Sequence, residues 1–249
     1  MNGSGSALLK IAGAALLLLA GHQGARAEAS NVARCLSYAA TMNLGAPLPH
    51  ARARLRQGKE ITIVALGSSS TEGFGTFDPS YPEVLKAALR RRHPKMHVTV
   101  INSGIVLDTI PGNVARIGDV LHYRPDLVIW QLGTNDVLWR GIVPNAKALV
   151  RDGVRRIKKA GADVILMDVQ YAPMVRAKPA TARMEKLIAA VAREERVGLF
   201  SRFDLMKRAI KGGVGGLVGF DNLHNSGAGY RCLGLALARL IDRNSVPSH

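Results

Sequence analysis

ITIVALGSSST, the stretch at residues 61–71, joins an apolar run to a polar turn. Its first six residues are mostly apolar and rich in β-branched side chains, which is typical of strands buried on both faces of a parallel sheet. Four similar runs follow along the chain, at residues 97–101, 127–132, 164–167 and 197–200. The run therefore predicts the first strand of a sheet, and the turn after it marks a carboxyl end, where ligands bind in such sheets.

Helical patterns separate these runs at residues 82–92, 114–122, 145–159 and 182–193, and a last helix is predicted at residues 227–243. Alternation of strand and helix at this spacing predicts an α/β fold with right-handed crossovers. About five parallel strands indicate a flavodoxin-like, three-layer α/β/α sandwich rather than an eight-stranded barrel.

The chain has 249 residues, of which 47% are hydrophobic, and this suits one globular domain with a full core. The main domain is predicted at residues 60–249. Residues 28–59 form an N-terminal extension before it, with a short helix at its start. We find no internal repeat and no long linker that would indicate a second folded domain.

The N-terminus has the features of a secretory signal peptide over residues 1–27. Lys10 precedes the apolar run Ile11–Gly21, and Ala25-Arg26-Ala27 supplies a small-x-small cleavage pattern. We expect cleavage after Ala27 and a periplasmic or secreted mature protein. The alternative is a single membrane anchor, for which the apolar run is short.

Two cysteines, Cys35 and Cys232, remain after the predicted cleavage. An oxidising compartment permits a disulfide bond between them, and we expect one. The alternative is a pair of buried thiols, which behave as small hydrophobic side chains. Neither cysteine has the spacing of a metal ligand, so no metal site is expected.

The net charge is +16, and it falls to about +14 (16 − 2) when Lys10 and Arg26 leave with the signal peptide. Basic runs such as Arg90-Arg91-Arg92 are ordinary on solvated helix faces. The alternative is attraction to an anionic envelope polymer or to lipid head groups. No nucleic-acid recognition motif accompanies the charge, so nucleic acid is not expected as a partner.

Four short polar motifs follow predicted strands or precede the last helix. They are Gly67-Ser68-Ser69-Ser70-Thr71, Asn102-Ser103-Gly104, Gly133-Thr134-Asn135-Asp136 and Asp221-Asn222-Leu223-His224. Each alone has an ordinary explanation as a turn, a loop glycine, a helix cap or a surface ion pair. Together they supply a nucleophile, oxyanion donors and a base with its carboxylate, which is the equipment for acyl transfer through a serine.

The motifs assign a role to each of five residues. Ser69 is the predicted nucleophile, and the Gly104 backbone N–H and the Asn135 side-chain amide can donate to an oxyanion. Asp221 and His224 are three residues apart, so that the carboxylate can reach Nδ1 and leave Nε2 free to take the serine proton. The chain has no Gly-x-Ser-x-Gly at this serine and therefore no nucleophile elbow.

As a set, the motifs resemble those of the SGNH hydrolases, also called the GDSL esterase/lipase superfamily. The first block resembles the family's Gly-Asp-Ser-x-Thr, except that Ser68 stands where the family has Asp. The resemblance implies a three-layer α/β/α fold and hydrolysis of esters without a metal or other cofactor. It also implies an oxyanion hole built from the Ser69 N–H, the Gly104 N–H and the Asn135 side chain.

The predicted function is that of an exported serine esterase acting on carboxylic esters, with short acyl groups or carbohydrate O-acetyl groups as the first substrates to consider. One alternative is a polysaccharide O-acyltransferase on the same scaffold, which would depend on an added sugar acceptor. The other is a non-catalytic envelope binding protein, against which the complete triad argues.

Overall fold

The computed structural model describes residue 24 and residues 26–245. Its centre is a parallel sheet of five strands in the order β2-β1-β3-β4-β5. The strands are β1 (Ile61–Gly67), β2 (Val98–Gly104), β3 (Leu127–Gln131), β4 (Asp163–Met167) and β5 (Gly198–Phe200). This is the flavodoxin-like strand order, so the predicted fold class is confirmed.

Helices connect and cover the strands. A first helix, α1, occupies residues 26–39 within the described part of the chain. The others are α2 (Pro49–Gln57), α3 (Ser69–Glu72), α4 (Tyr81–Arg92), α5 (Ile110–Ala115), α6 (Ile117–His122), a π-helix (Asp136–Arg140), α7 (Ala146–Lys159), α8 (Pro173–Arg176), α9 (Thr181–Glu195), α10 (Arg202–Lys211) and α11 (Gly227–Ser245).

The sheet has a hydrophobic core on each face, because alternate residues of a strand point to opposite sides. Ile61, Ile63 and Ala65 of β1 pack in one core with side chains of α1, α4, α10 and α11. Val64 and Leu66 pack in the other core with α5, α6, α7 and α9, and fully buried Trp130 of β3 lies there too. Burial on both faces explains why the strands read as nearly continuous apolar runs.

The structure divides one predicted helix in two and contains several helices that the sequence analysis did not predict. The helix predicted at residues 114–122 is two short helices, α5 and α6, which meet at Arg116. The helices α2 and α10 were not predicted. The sequence of α2 lacks the apolar periodicity of an amphipathic helix, because Ala51 is its single buried residue and three arginines lie among the others.

The predicted disulfide bond is present and joins α1 to α11. The Cys35 and Cys232 sulfur atoms are 1.99 Å apart, and the two Cα atoms are 6.1 Å apart. Between α1 and β1 the chain crosses the sheet edge, where the Leu199 N–H of β5 donates to the Leu44 carbonyl at 2.8 Å. The segment predicted as an extension is thus packed on the sheet and on the last helix.

The apolar run of the predicted signal peptide, Ile11–Gly21, lies outside the described residues. Within the part of the chain that is described, none of the helices is both long enough and apolar enough to cross a bilayer.

Candidate active site

The candidate site lies at the carboxyl edge of the sheet, where strand β1 has β2 on one side and β3 on the other. Crossovers leaving β1 and β2 therefore run to opposite faces, and a crevice opens between them at this switch point. Three of the four polar motifs follow β1, β2 and β3, and the fourth lies just before α11. The structure brings parts of all four together.

Ser69 is the first residue of α3, directly after the end of β1. It is largely buried, with 7% of its surface exposed. The tight exit from β1 requires Gly67, because a Cβ there would overlap Thr71 Oγ1 and lie 2.8 Å from Gln131 Oε1. The hydroxyl is thus held at a fixed place beside the amino end of a helical turn.

His224 connects the serine to the carboxylate. Its Nε2 lies 2.9 Å from Ser69 Oγ, and its Nδ1 lies 2.5 Å from Asp221 Oδ2. With the proton on Nδ1 donated to Asp221, Nε2 accepts the Ser69 hydroxyl hydrogen. The predicted nucleophile, base and carboxylate therefore lie in one hydrogen-bonded line, as a serine triad requires.

The turn that carries the base is held by its own carboxylate. Asp221 Oδ1 accepts hydrogen bonds from the backbone N–H groups of Leu223, at 3.0 Å, and His224, at 2.9 Å. Partial burial raises the pKa of Asp221, but the hydrogen bonds from the imidazole and from these amides outweigh it and leave the pKa below its usual value. The residue is therefore a carboxylate at neutral pH, able to stabilise an imidazolium.

A hydrogen bond from the buried side chain of Gln170 also holds the turn that carries His224. Gln170 Nε2 donates to the Leu223 carbonyl at 3.2 Å, and Gln170 Oε1 accepts from Thr134 Oγ1 and from Arg202, both at 2.8 Å. Arg202 and Gln170 are fully buried. The position of His224 thus depends on a polar network beneath the site as well as on Asp221.

Asn135 lies after β3, at the start of the π-helix. Its Nδ2 donates to the Asp108 carbonyl at 2.8 Å, which uses one of the two amide hydrogens. The second hydrogen is left for another acceptor. The carboxylate of the neighbouring Asp136 accepts from the Ile110 N–H at the start of α5, and burial raises the pKa of Asp136 to about 6.

Gly104 lies at the end of the second motif, and its N–H has a partner within the same motif. It ends β2 beside α3, where a Cβ would overlap the Glu72 backbone, so the position requires glycine. However, its N–H donates to Asn102 Oδ1 at 3.0 Å, while Asn102 Nδ2 donates to the Thr71 carbonyl at 2.8 Å. The Gly104 amide therefore helps to hold the loop in this structure.

In the loop that follows Gly104, the backbone N–H of Leu107 has no hydrogen bond to another described residue. Leu107 has a positive φ of 62°, an unusual backbone conformation for a residue with a side chain. Leu107 directly precedes Asp108, whose carbonyl accepts from Asn135.

Ser68, which replaces the family's Asp, is buried and takes part in the support of the nucleophile turn. Its N–H and Oγ both donate to Gln131 Oε1, at 2.9 and 3.0 Å, and Thr71 Oγ1 donates to the same oxygen at 3.2 Å. Sequence reasoning missed Gln131. The signal was a polar residue within the apolar run at residues 127–132.

Arg116 was also missed, and it has contacts with three segments of the site. Its guanidinium donates to the Gly67 carbonyl at 3.3 Å, to the Ser103 carbonyl at 3.1 Å and to Asp108 Oδ2 at 2.7 Å. It therefore joins the ends of β1 and β2 to the loop beside Asn135. No signal in the sequence distinguishes this arginine from the many on helix surfaces.

Among the described residues, no group of three or more histidine, cysteine, aspartate or glutamate side chains is arranged to hold a metal ion.

Comparison with known proteins identifies a family and several relatives. The model of the non-GDSL lipase-like family matches residues 34–245. An arylesterase of Vibrio mimicus is 34% identical over 114 residues, which are 45% of this chain and 56% of the relative. Esterase TesA of Pseudomonas aeruginosa is 28% identical over 171 residues, which are 68% of this chain and 82% of the relative.

Solved structures share the fold. An acetylxylan esterase from Geobacillus stearothermophilus, Axe2, has a TM-score of 0.63 at 23% identity, covering 76% of this chain and 97% of that one. A two-domain esterase active on acetylated mannans has a TM-score of 0.65 at 22% identity, covering 79% of this chain and 54% of that one. The chain thus spans little more than half the length of this esterase and of the arylesterase. By its family match, its fold and its relatives, the chain belongs to the non-GDSL lipase-like family, a group of SGNH/GDSL-type ester hydrolases.

Proposed function

We propose that this chain is an exported serine esterase that hydrolyses carboxylic esters through Ser69, His224 and Asp221. One observation carries the proposal, which is the pair of hydrogen bonds that runs from Asp221 through His224 to Ser69, at 2.5 and 2.9 Å. A chance turn at the surface would not align both imidazole nitrogens with a carboxylate and a buried hydroxyl.

Acylation begins when His224 Nε2 takes the proton of the Ser69 hydroxyl as the oxygen attacks the ester carbonyl carbon. Asp221 holds the imidazole by its Nδ1–H and stabilises the imidazolium that forms. The bond from the carbonyl carbon to the alcohol oxygen then breaks, and His224 returns the proton to that oxygen. The alcohol leaves, and the acyl group remains on Ser69.

The negative oxygen of the tetrahedral intermediate needs donors that are fixed in place beforehand. The Ser69 N–H and the second Nδ2 hydrogen of Asn135 supply two of them in this proposal. The Gly104 N–H is the third donor in this proposal, and it would have to give up its bond to Asn102 Oδ1 in order to act as one.

Deacylation repeats the same steps with water as the nucleophile. His224 takes a proton from the water molecule, the hydroxide attacks the acyl carbon, and the bond to Ser69 Oγ breaks. The carboxylic acid leaves, and Ser69 recovers its proton from His224. Apart from the ester and the water molecule, the groups in these steps belong to the chain.

The proposed substrates are esters with short acyl groups, including acetyl groups on carbohydrate. Two of the structural neighbours are esterases of acetylated mannans and of acetylated xylan, which supports acetyl esters as the first class to test. Export is proposed from the basic, apolar and small-x-small order of residues 1–27. An anionic envelope polymer as a partner rests on the net charge alone.

Hydrolysis of p-nitrophenyl acetate by the wild type, Ser69→Ala and Ser70→Ala tests the proposal. Ser70 is the matched control, because it is the neighbouring buried serine and its Oγ has no hydrogen-bond partner. We expect Ser69→Ala to lose several orders of magnitude in kcat and Ser70→Ala to stay near the wild type. Loss in Ser70→Ala with activity kept in Ser69→Ala would refute the assignment. A rate that requires an added sugar acceptor would favour the acyltransferase.

A further inference from the structure

Strands β4 and β5 carry none of the residues assigned to the triad or to the oxyanion hole. They lie beyond β3, on the side of the sheet away from β1. The segments that follow them are nevertheless connected to the site, through Gln170 after β4 and through Arg202, the first residue of α10, after β5. Both side chains are fully buried, so they act on the reaction only through other residues.

The side-chain amide of Gln170 has one defined orientation. Its Oε1 accepts from Thr134 Oγ1 and from Arg202 Nη2, both at 2.8 Å. A guanidinium can only donate hydrogen bonds, so the amide oxygen, and not the amide nitrogen, must face it. Nε2 is thereby directed to the Leu223 carbonyl, to which it donates at 3.2 Å. The amide therefore has an acceptor end and a donor end that bind different segments.

Arg202, on which the amide rests, is itself held by the ends of both strands. Its Nε donates to the Asp168 carbonyl at 3.0 Å, and the Asp168 carboxylate accepts from Ser201 Oγ at 2.8 Å and from the Phe203 N–H at 2.9 Å. Burial lowers the pKa of Arg202 to about 10, which leaves the guanidinium charged at neutral pH. Gln170 thus accepts a charge-assisted hydrogen bond from a fixed cation.

The donor end of Gln170 holds the peptide unit that leads into the base. The Leu223 carbonyl of this unit accepts from Gln170 Nε2, and the His224 N–H of the same unit donates to Asp221 Oδ1 at 2.9 Å. Because a peptide unit is planar, two bonds at its opposite polar atoms fix its orientation. They also fix the direction in which the His224 side chain leaves the backbone.

The acceptor end of Gln170 holds the segment that carries a proposed oxyanion donor. Thr134, whose hydroxyl donates to Gln170, is buried and directly precedes Asn135. One amide therefore bridges the Asn135 segment and the His224 turn. The base and the oxyanion donor must act on the same ester group, and a displacement of about 1 Å between such groups can cost about 10²-fold in rate.

We propose that Gln170 is a positioning residue that fixes the His224 turn relative to the Asn135 segment. This inference rests on the proposed function of Ser69 and His224, and it adds a supporting residue to that same site. Gln170 does not meet the substrate. Its effect is exerted on the transition state, in which the base and the oxyanion donor act together, and not on binding of the intact ester.

Three variants separate the two ends of the amide. Gln170→Met removes both, Gln170→Glu keeps an acceptor oxygen but lacks the Nε2 donor, and Thr134→Val removes only the hydroxyl that binds the acceptor end. With p-nitrophenyl acetate, both Gln170 variants should lower kcat by about 10²-fold and leave KM within about twofold of the wild type. Thr134→Val should lower kcat by about fivefold, the effect of one ordinary hydrogen bond.

Combining Thr134→Val with Gln170→Met tests the bridge itself. The double variant should be no slower than Gln170→Met alone, because the bond between the two side chains is already absent there. A double variant slowed by the product of the two single effects would show that Thr134 and Gln170 act independently, and this would overturn the bridge.

Inhibition by phenylboronic acid distinguishes positioning from a structural role. Its tetrahedral adduct with a serine resembles the transition state, so its inhibition constant should rise in Gln170→Met by about the factor by which kcat/KM falls. Thr181→Val is the matched control, because Thr181 is also buried and its hydroxyl donates to the Val175 carbonyl at the start of α9. This control should lower the melting temperature and leave kcat and the inhibition constant unchanged.

Two results would overturn the inference and leave the esterase intact. One is a lower melting temperature of the Gln170 variants with wild-type kcat and boronate inhibition, and the other is a loss confined to KM. If Gln170→Met does not fold, Gln170→Glu and Thr134→Val carry the same test, since each retains part of the network. Absence of both ester hydrolysis and boronate binding in the wild type would instead refute the proposed function.

Discussion

No pattern in the sequence indicates that Arg116 belongs to the candidate site. Its guanidinium joins Gly67, Ser103 and Asp108, and these residues belong to the segments that carry the nucleophile and the oxyanion donors. Arginine suits this position, because its planar fork of donors can meet several acceptors at once, whereas lysine acts as a point charge. We therefore regard Arg116 as a positioning residue that does not itself meet the substrate.

Arg116→Ala should lower kcat by about 10²-fold with a smaller change in KM, because small displacements of catalytic groups carry penalties of that size. Arg116→Lys should recover part of the loss. Arg156→Ala is the control, as Arg156 is an exposed arginine that donates to the Val114 carbonyl at 3.1 Å on the nearby α5. Steady-state kinetics and thermal unfolding of the variants test this prediction. A lower melting temperature with a normal kcat would mean that Arg116 stabilises the fold and does not position the site.

Asn135→Ala should lower kcat by on the order of 10²–10³, the usual effect of removing one oxyanion donor. Its amide meets charge that exists only in the transition state, so KM should change much less. Kinetics on p-nitrophenyl acetate measure both constants. A change confined to KM would mean that Asn135 binds the ground state of the substrate and is no oxyanion donor.

At the residue scale, sequence alone predicted the residues whose chemistry is distinctive. Ser69, His224 and Asp221 were predicted because their motifs occur together and in order, and the structure aligns the three side chains by hydrogen bonds. Gly104 was chosen because glycine admits a close backbone approach, and the structure shows such an approach to the Glu72 backbone of α3, while its role as an oxyanion donor stays a prediction. The bond from the Gly104 N–H to Asn102 Oδ1 could not be predicted, since it depends on how the loop folds.

Among the secondary-structure elements, the strands were the most predictable and the short helical segments the least. Burial on both faces gives β1, β3 and β4 continuous apolar runs, and each was predicted to within two residues of its observed bounds. The π-helix and α3 are too short to show a periodic pattern. The break between α5 and α6 occurs where Arg116 turns toward the strand ends, and that is a tertiary contact.

The disulfide bond links two elements, α1 and α11, and α11 follows the turn that carries His224. Cys35→Ser with Cys232→Ser should lower the melting temperature, because the bond closes a separation of 197 residues. The chain-entropy model gives a stabilisation of about 5 kcal/mol for a loop of this size, with measured effects often smaller. Calorimetry of the double variant and the wild type measures the difference, and kcat at 25 °C should stay close to that of the wild type. An unchanged melting temperature would contradict this account.

For the whole molecule, buried carboxyl groups set the pH dependence of stability. Burial raises the pKa of Asp168 to about 7 and that of Asp163 to about 6, from an ordinary value of 3.8. A raised pKa means that these groups bind protons more readily in the folded chain than in the unfolded chain. Their contribution to stability is therefore complete below about pH 4 and is lost as the pH rises through 6 and 7.

We accordingly expect these groups to lower the free energy of unfolding between about pH 4 and pH 7. Asp168→Asn should flatten the slope, because the amide no longer titrates and can still accept from the Phe203 N–H and contact the Ser201 hydroxyl. Denaturant titrations at several pH values measure the slope for both proteins. If the free energy of unfolding depends on pH in the same way in the variant and the wild type, Asp168 does not contribute to that dependence.

The central claim is that Ser69 is the nucleophile, and it is tested most directly by covalent labelling. A p-nitrophenyl phosphonate should react once per chain and release one equivalent of p-nitrophenol, and peptide mass spectrometry should place the adduct on Ser69. Ser69→Ala should show no adduct, and His224→Ala should label far more slowly because the hydroxyl has lost its base. An adduct on Ser68 or Ser70, or normal labelling of the Ser69→Ala variant, would contradict the account.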